Sequence, residues 1–175
     1  MERAEVPGMT PEERLARWID AYSDAILRMC FLYLSDQAQA EDALQDTWIK
    51  AWRHMGEYER NGVLNDKAWL TRIAINTCKD YRRTAWFRHI DNRKALEELP
   101  PRLTQVEQAD HSLSLMVMEL PDRYKQVVLL YYFQGLTQKE TGQALGLSPS
   151  AVLRRLRGAE ALLKQSLTGG GEFEG

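Results

Sequence analysis

Four residues near the C-terminal end have the types and spacing needed to contact duplex DNA. Ser150, Ala151, Arg154 and Arg157 would share one face of a helix, with Leu153 beside them. Small side chains let a helix approach the major groove closely, and arginines reach base edges and phosphates. The pattern predicts a helix that reads DNA.

The residues before this face would hold it in a tight helical hairpin. Thr137 followed by Glu140 forms a capping-box pattern, Gly146 suits a left-handed turn, and Ser148 with Pro149 can begin a second helix. These caps and this turn residue are typical of a helix-turn-helix, although a helical hairpin in any bundle can show them. The second helix also has an inward apolar stripe, which favours the DNA-binding interpretation: Val152, Leu156, Ala159 and Leu163.

A second basic surface is predicted on an earlier helix. Arg72, Asn76, Lys79 and Arg83 recur at spacings of four, three and four, opposite an apolar stripe. Basic groups beside exposed aromatic rings can hold unstacked bases and their phosphates. A solvated helix face, with its tryptophans half in the core, is an equal alternative. The tryptophans that flank this face are Trp69 and Trp86.

An acidic face is predicted on the helix before that one. Asp42, Gln45, Asp46 and Ile49 lie away from the expected core stripe, as does Arg53. Trp52 lies near them. Such a face could dock on a basic protein, but an ordinary acidic solvated surface would look the same.

The composition argues against several functional classes. The chain has 175 residues, a net charge of −2, 44% hydrophobic and 27% charged residues, which is typical of one soluble domain or two small ones. It has no apolar run long enough for a membrane span and no apolar N-terminal signal, so a cytoplasmic location is expected. Cys30 and Cys78 are predicted to be buried thiols. The three scattered histidines form no metal-ligand spacing, and no catalytic motif is present. We therefore expect no enzyme activity, cofactor, metal or small-molecule substrate.

Charge is sorted into blocks along the chain. Residues 67–94 carry eight basic and two acidic residues, and residues 123–165 carry seven basic and two acidic residues. Residues 35–59 carry six acidic and two basic residues, and residues 95–122 carry six acidic and one basic residue. This alternation suits a protein that touches both nucleic acid and a basic protein surface.

The helical spacing predicts an all-α chain with two small helical domains. A capping box at Thr10 begins the first helix, which breaks at residues 35–36, and a second helix runs to about Met55. Residues 57–65 have loop composition, and Asn65 or Asp66 caps a third helix that reaches about residue 86. In the second domain, helices over residues 109–120 and 123–134 precede the hairpin. The predicted divisions are a helical domain at 10–90, an acidic, partly extended linker at 91–110, a helix-turn-helix domain at 111–167 and a disordered tail at 168–175.

The order of these pieces resembles the bacterial sigma factors of the extracytoplasmic-function group, in the sigma-70 family. Residues 40–52 (AEDALQDTWIKAW) look like the helix that grips the polymerase β′ coiled coil, and residues 68–83 (AWLTRIAINTCKDYRR) look like the promoter −10 segment. Residues 120–163 look like the −35-reading domain. One departure lies in the first hairpin helix, where the family usually has Glu-Ile-Ala and this chain has Glu140-Thr141-Gly142.

The resemblance implies a non-enzymatic initiation subunit with three surfaces. Its partners would be the β′ and β subunits of core RNA polymerase, promoter DNA and an anti-sigma factor. A flipped −10 base would lie between the 57–66 loop and the third helix. The implied polymerase contacts are Asp42, Gln45, Asp46, Ile49 and Trp52. The implied −10 contacts are Asn65, Lys67, Trp69, Arg72, Asn76, Lys79, Arg82 and Arg83. The implied −35 contacts are Thr137, Ser148, Ser150, Ala151, Leu153, Arg154 and Arg157.

The alternative is a self-sufficient regulator that binds duplex DNA through its helix-turn-helix. It would use the first domain for dimerisation or for ligand binding. The hairpin alone fits both hypotheses, whereas the acidic face and the basic third helix favour the sigma factor.

Overall fold

Helices form all the regular structure in the part of the chain that the structure describes. The computed structural model describes residues 8–62, 65–84, 92–98 and 108–168, and no strand occurs within those ranges. The all-α prediction is confirmed. None of the helices in the described ranges is long and apolar enough to cross a bilayer.

The first helix, α1 (Pro11–Leu34), begins as its sequence predicts. Thr10 accepts a hydrogen bond from the Glu13 backbone, and the Glu13 carboxylate accepts one from the Thr10 backbone at 2.9 Å. The helix ends at Ser35, whose φ of 56° is left-handed, and Asp36 then caps α2 (Gln37–Arg53). The predicted break between the two helices is therefore confirmed.

The chain after α2 differs from its prediction. The second helix ends at Arg53 instead of Met55, and a short helix, α3 (Met55–Arg60), occupies much of the segment predicted as a loop. The reason is tertiary, because the side chains of Met55 and Tyr58 are both buried in the core. One turn of helix brings these two residues to the same face.

The third long helix, α4 (Asp66–Thr84), packs against α1 and α2. Asn65 caps it, since its side-chain oxygen accepts a hydrogen bond from the Ala68 backbone at 3.1 Å. Leu70 and Ala74 are fully buried, as the predicted stripe requires. Trp86, the predicted end of this helix, lies outside the described residues.

The predicted linker is partly helical. A short helix, α5 (Asn92–Glu97), lies within it and packs on α6 (Gln108–Glu119), which begins one residue before the predicted start. Residues 92–97 are thus helical, and the partly extended character of the linker stays a prediction. Leu96 supplies the reason, because its side chain is 5% exposed and lies in the core. Residues 99–107 and the tail from residue 169 lie outside the described residues.

The helix predicted over residues 123–134 has two parts. It begins as α7 (Asp122–Val128) and continues as a π-helical turn (Leu129–Phe133), in which the Gln134 backbone donates to the Leu129 carbonyl at 3.0 Å. Gly135 follows with a φ of 69°, so the predicted glycine stop is confirmed. The hairpin helices are α8 (Gln138–Leu145) and α9 (Pro149–Thr168).

The two halves of the chain share one core. We call residues 8–84 the N-lobe and residues 108–168 the C-lobe. Buried side chains of α1, including Phe31, belong to the same cluster as Leu129 and Leu130 of the C-lobe. Helices α1 and α4 contact α7 and α8, respectively. The lobes are therefore packed against each other.

Candidate protein and nucleic-acid interfaces

The helix-turn-helix geometry follows the predicted caps. Thr137 accepts from the Glu140 backbone at 3.0 Å, and Glu140 accepts from the Thr137 backbone at 3.0 Å. Gly146 has a φ of 70°, and the Ser148 hydroxyl accepts from the Ala151 backbone at 3.2 Å. Local side-chain chemistry therefore sets both ends of the turn.

Gly142 explains the departure from the usual Glu-Ile-Ala pattern. A Cβ atom at this position would lie 2.4 Å from the Leu147 carbonyl oxygen. The Leu147 backbone also donates to the Gly142 carbonyl at 2.8 Å. The turn thus passes so close to α8 that any side chain at residue 142 would force the backbone to move.

The two faces of α9 lie as predicted. Val152, Leu156 and Ala159 are buried, whereas Ser150, Arg154 and Arg157 are exposed; Leu163, Ala151 and Leu153 are half-buried. Thr137 and Ser148 are exposed at the starts of the two hairpin helices. The surface beside α7 therefore presents small and basic groups.

Two further arginines join this surface. Arg123 from α7 and Arg155 from α9 converge with Arg154 around a shallow cavity of about 320 Å³. The Arg123 guanidinium lies 4.6 Å from the centre of the Tyr124 ring. A Cβ on Gly158 would lie 2.7 Å from that ring, so this glycine makes room for it. The spacing of α9 alone could not reveal Arg123, because it comes from another helix.

The predicted polymerase-contact face on α2 is largely exposed. Ile49 and Trp52 are 48% and 43% exposed, and Asp42 and Gln45 are exposed beside them. Asp46 departs from the expected free acidic face, because it is half-buried and accepts a hydrogen bond from the Tyr81 hydroxyl at 2.5 Å. This bond is the main cause of a raised pKa at the Tyr81 phenol.

The basic face of α4 is only partly available. Arg72, Asn76 and Arg83 are exposed, and Arg83 pairs with Asp80 of the same helix. Arg82 is half-buried and reaches the Asp122 carboxylate at 3.4 Å. Lys67 and Lys79 are also half-buried. The face is thus basic, with one of its charges already paired across the lobes.

Trp69 lies half in the core, as one of the two interpretations of this helix face expected. It is half-buried in an aromatic trio, with ring centres 5.6 Å from Trp18 and 5.2 Å from Tyr58. Asp66 accepts hydrogen bonds from the Trp18 indole at 3.2 Å and from the Tyr58 hydroxyl. Because α3 brings Tyr58 into the core, Trp69 gains partners that the spacing of α4 cannot show.

Several of the predicted −10 contacts line a cleft that faces the first hairpin helix. This cleft, of about 740 Å³, is bounded on the N-lobe side by Asn65, Trp69, Arg72 and Asn76. Its opposite wall is α8, which contributes Lys139, Glu140, Gln143 and Ala144. The Asn65 side-chain amide donates to Glu140 across it at 2.7 Å. Helix α3 contributes Glu57 to the same cleft.

Among the described residues, no group of three or more His, Cys, Asp and Glu side chains could hold a metal ion. Cys30 and Cys78 are buried as free thiols, as predicted. A hydrogen bond with Cys30, together with burial, raises the pKa of the Cys78 thiol.

The two halves of the chain match two successive regions of one family. Residues 18–88 match Sigma-70 region 2, and residues 110–163 match Sigma-70, region 4. The ECF RNA polymerase sigma factor SigW of Bacillus subtilis is 30% identical over 169 residues, covering 88% of this chain and 89% of SigW. SigM of the same organism is 29% identical, covering 78% of this chain and 86% of SigM.

Solved structures share the fold. CnrH, solved in complex with the cytosolic domain of CnrY, has a TM-score of 0.68 at 24% identity and covers 90% of each chain. The sigma factor RpoE of Bartonella quintana, solved with the anti-sigma factor NepR, has a TM-score of 0.69 at 18% identity. That match covers 89% of this chain and 98% of RpoE.

Proposed function

Because this chain belongs to the extracytoplasmic-function group of the sigma-70 family, we propose which of its residues carry each step of transcription initiation. Sigma factors are non-enzymatic subunits that bind core RNA polymerase and direct it to promoters. The proposal therefore concerns three surfaces: the exposed face of α2, the basic face of α4 and the outer face of α9.

The exposed face of α2 would dock on the polymerase. Ile49 and Trp52 are large apolar side chains that remain 48% and 43% exposed, with Asp42 and Gln45 at their edge. Aromatic anchors surrounded by polar groups are typical of protein–protein contacts. This exposed pair carries the polymerase-binding proposal, and the β′ coiled coil is its proposed partner. Asp46 would act through its bond to Tyr81, which fixes α2 against α4.

The basic face of α4 would hold the separated −10 strand. Arg72 and Arg83 would contact phosphates, and Asn76 would hydrogen-bond the edge of an unstacked base. Trp69 would form one wall of the base site, at the edge of the cleft. Asn65, Lys67, Lys79 and Arg82 would complete this surface. Capturing an extruded base offsets the cost of unstacking it, which amounts to a few kcal/mol.

The outer face of α9 would read the −35 element. Ser150, Ala151, Leu153, Arg154 and Arg157 lie near the start of the helix, where side chains of a helix-turn-helix reach base edges. Arg123 and Arg155 would add contacts to the phosphate backbone. Thr137 and Ser148 would contact phosphates at the exposed starts of the two hairpin helices.

The proposed divisions of the chain follow these surfaces. Residues 10–90 would bind polymerase and the −10 element, residues 91–110 would connect the lobes, and residues 111–167 would bind the −35 element. The tail at 168–175 has no proposed role. We further propose an anti-sigma factor as a regulatory partner, since RpoE was solved with such a partner. We also propose the cytoplasm as the location, because the proposed polymerase and promoter contacts require it.

Reconstitution with core polymerase tests this function. Transcripts from a promoter library would first identify promoter sequences, and permanganate would then report unpaired thymines near −10. We expect Asn76→Ala to reduce thymine reactivity more than initial duplex binding. The alternative, a stand-alone regulator, predicts equally tight duplex binding without polymerase and no reactive thymine.

A further inference from the structure

An aromatic cluster ties three helices of the N-lobe together. Trp18 of α1 and Tyr58 of α3 pack edge to face, with their ring centres 4.9 Å apart. Trp69 of α4 lies against both, at 5.6 Å from Trp18 and 5.2 Å from Tyr58. Aromatic rings packed at such distances restrict one another's rotation. The orientation of the Trp69 ring therefore depends on two residues from other helices.

Of these three rings, Trp69 is the one that reaches the cleft. Trp18 and Tyr58 are 2% and 6% exposed, whereas Trp69 is half-buried and lines the cleft beside Arg72 and Asn76. A base that enters the cleft can thus stack on the Trp69 ring. The two buried rings can act on that base through Trp69.

Asp66 fixes the two buried rings. Its Oδ2 atom accepts a hydrogen bond from the Trp18 indole at 3.2 Å, and its Oδ1 atom accepts one from the Tyr58 hydroxyl. One carboxylate therefore uses both of its oxygens to orient both rings. Asp66 begins α4 and lies three residues before Trp69, on the same side of the helix. The turn that carries Trp69 thus also holds the rings that pack against it.

Arg14 of α1 supports the cluster from the other side of Tyr58. Its guanidinium lies 5.3 Å from the centre of the Tyr58 ring and 2.6 Å from the Glu59 carboxylate. Helix α3 has six residues, which is too short for a helix to be stable alone. Contacts with α1 and α4 therefore decide where α3 places the Tyr58 ring.

We propose that Asp66, together with Tyr58 and Trp18, positions the Trp69 ring to accept an unstacked base during promoter melting. None of these three positioning residues is among the proposed DNA contacts. Capture of an extruded base has to offset the cost of unstacking it, and a receiving ring that is already ordered loses less entropy when the base binds. This inference rests on the proposed −10 role of Trp69.

Single-atom changes test the proposal with little disturbance of the core. Tyr58→Phe keeps the ring and removes its hydrogen bond to Asp66. Asp66→Asn keeps the shape of the side chain, but one of the two accepting oxygens becomes a donor. Tyr132→Phe is the matched control, because the Tyr132 hydroxyl also donates to a carboxylate, that of Glu160, but in the C-lobe. A cooperative unfolding transition shows that each variant is folded.

Fluorine NMR of the full chain reports on the Trp69 ring directly. The chain has five tryptophans, and incorporated fluorotryptophan gives one resonance for each of them. The Trp69→Phe variant assigns the Trp69 resonance by its loss. We expect Tyr58→Phe and Asp66→Asn to shift and broaden this resonance, because the ring would sample more orientations. Tyr132→Phe should leave it unchanged.

Permanganate reactivity of the holoenzyme on a mapped promoter measures the consequence for melting. We expect Tyr58→Phe and Asp66→Asn to reduce thymine reactivity near −10 by about threefold to tenfold, as loss of one hydrogen bond implies. Initial duplex binding should not change, and Tyr132→Phe should match the wild type. In a chain with Trp69→Leu, Tyr58→Phe should cause no further loss, because the ring through which Tyr58 acts is absent.

Three results would overturn the proposal. An unchanged Trp69 resonance in both variants would mean that Tyr58 and Asp66 do not hold the ring. A changed resonance with unchanged thymine reactivity would mean that the orientation of the ring does not control melting. Additive losses from Tyr58→Phe and Trp69→Leu would assign Tyr58 a general structural role. Failure of the proposed −10 role is distinguishable, because Trp69→Leu and Asn76→Ala would then both melt the promoter as the wild type does.

Discussion

The Tyr81 hydroxyl of α4 donates a 2.5 Å hydrogen bond to the Asp46 carboxylate of α2. The two residues are 35 positions apart, and their bond joins the helix proposed to grip polymerase to the helix proposed to hold the −10 strand. Asp46 therefore has a structural role within the N-lobe that an exposed surface charge would not have.

Charge reversal at two positions of α2 should distinguish an effect on polymerase binding from an effect on the free energy of unfolding. Asp42→Arg should weaken the affinity for core polymerase and leave the free energy of unfolding nearly unchanged, because Asp42 is exposed. Asp46→Arg should also lower the free energy of unfolding by about 1–2 kcal/mol, since it removes the bond to Tyr81. Polymerase titration and urea denaturation measure the two effects. Equal unfolding energies for the two variants would contradict a structural role for Asp46.

The arginines around the α7–α9 cavity should control the salt dependence of −35 binding. Arg123→Ala and Arg155→Ala should each reduce the slope of log affinity against log salt by about one, uniformly across sequences. Arg17→Ala, on the exposed part of α1, is the control and should leave the slope unchanged. Binding of duplex DNA at several salt concentrations measures this. A loss restricted to one DNA sequence would instead assign Arg123 or Arg155 to base contacts.

Alanine should have opposite effects at two glycines. Gly142→Ala should lower the free energy of unfolding by about 1–3 kcal/mol, because its Cβ would lie 2.4 Å from the Leu147 carbonyl oxygen. Gly56→Ala in α3 meets no atom within 4 Å and should gain up to about 1 kcal/mol from helix propensity. Thermal and urea unfolding compare the two. A stabilising Gly142→Ala would show that the turn can move away from α8 at little cost.

Alkaline pH should favour, through Lys125, the arrangement in which the two lobes are packed against each other, which we call the closed chain. Lys125 is buried where the lobes meet, with Nζ 3.4 Å from the Tyr33 carbonyl of α1. Burial, followed by the charge of Arg82, lowers the pKa of Lys125 from 10.5 to about 8, while Asp122 acts in the opposite direction. Between pH 8 and 10.5, Lys125 is therefore deprotonated when it is buried in the closed chain, whereas an exposed lysine keeps its proton. Closing therefore releases up to one proton, and raising the pH favours it by up to about tenfold per unit. Tyr33 stays neutral over this window, because burial raises its pKa to about 12.

Scattering between pH 7 and 10 checks this pH dependence. The radius of gyration of the wild type should fall as the pH rises. Lys125→Met should remove that trend, whereas Lys164→Met, at an exposed position of α9, should keep it. If the radius of gyration grew with pH in the wild type but not in Lys125→Met, deprotonation of Lys125 would favour separation of the lobes, and the prediction would be wrong.

Features that depend on neighbouring residues were predictable from sequence. The caps at Thr10, Thr137 and Ser148 satisfy backbone groups within one helical turn, so their spacing is sufficient to locate them. Gly146 adopts its left-handed turn for the same local reason. The buried stripe of α9 follows from helical periodicity alone.

Features that depend on distant partners were not predictable in this way. Helices α3 and α5 form where loop and linker were expected, because Tyr58 and Leu96 find room in a core made by other elements. Asn65 and Glu140 are 75 positions apart, and neither residue type identifies the other as a partner. Arg123 joins the α9 surface only because α7 packs beside it.

The π-helical turn at Leu129–Phe133 accommodates one additional residue just before the hairpin. Its bond from Gln134 to Leu129 spans five residues where an α-helix spans four, so the turn holds one residue more than a regular helical turn would. Because the wider turn takes up this residue, the segment that follows keeps nearly the direction that a regular helix one residue shorter would give it. The same residue added within a regular α-helix would rotate everything after it by about 100° about the helix axis, and the Gln134 side chain, which donates to the Ala25 carbonyl, would then point away from Ala25. The π-helical turn therefore separates the length of the chain from the angle between the two lobes.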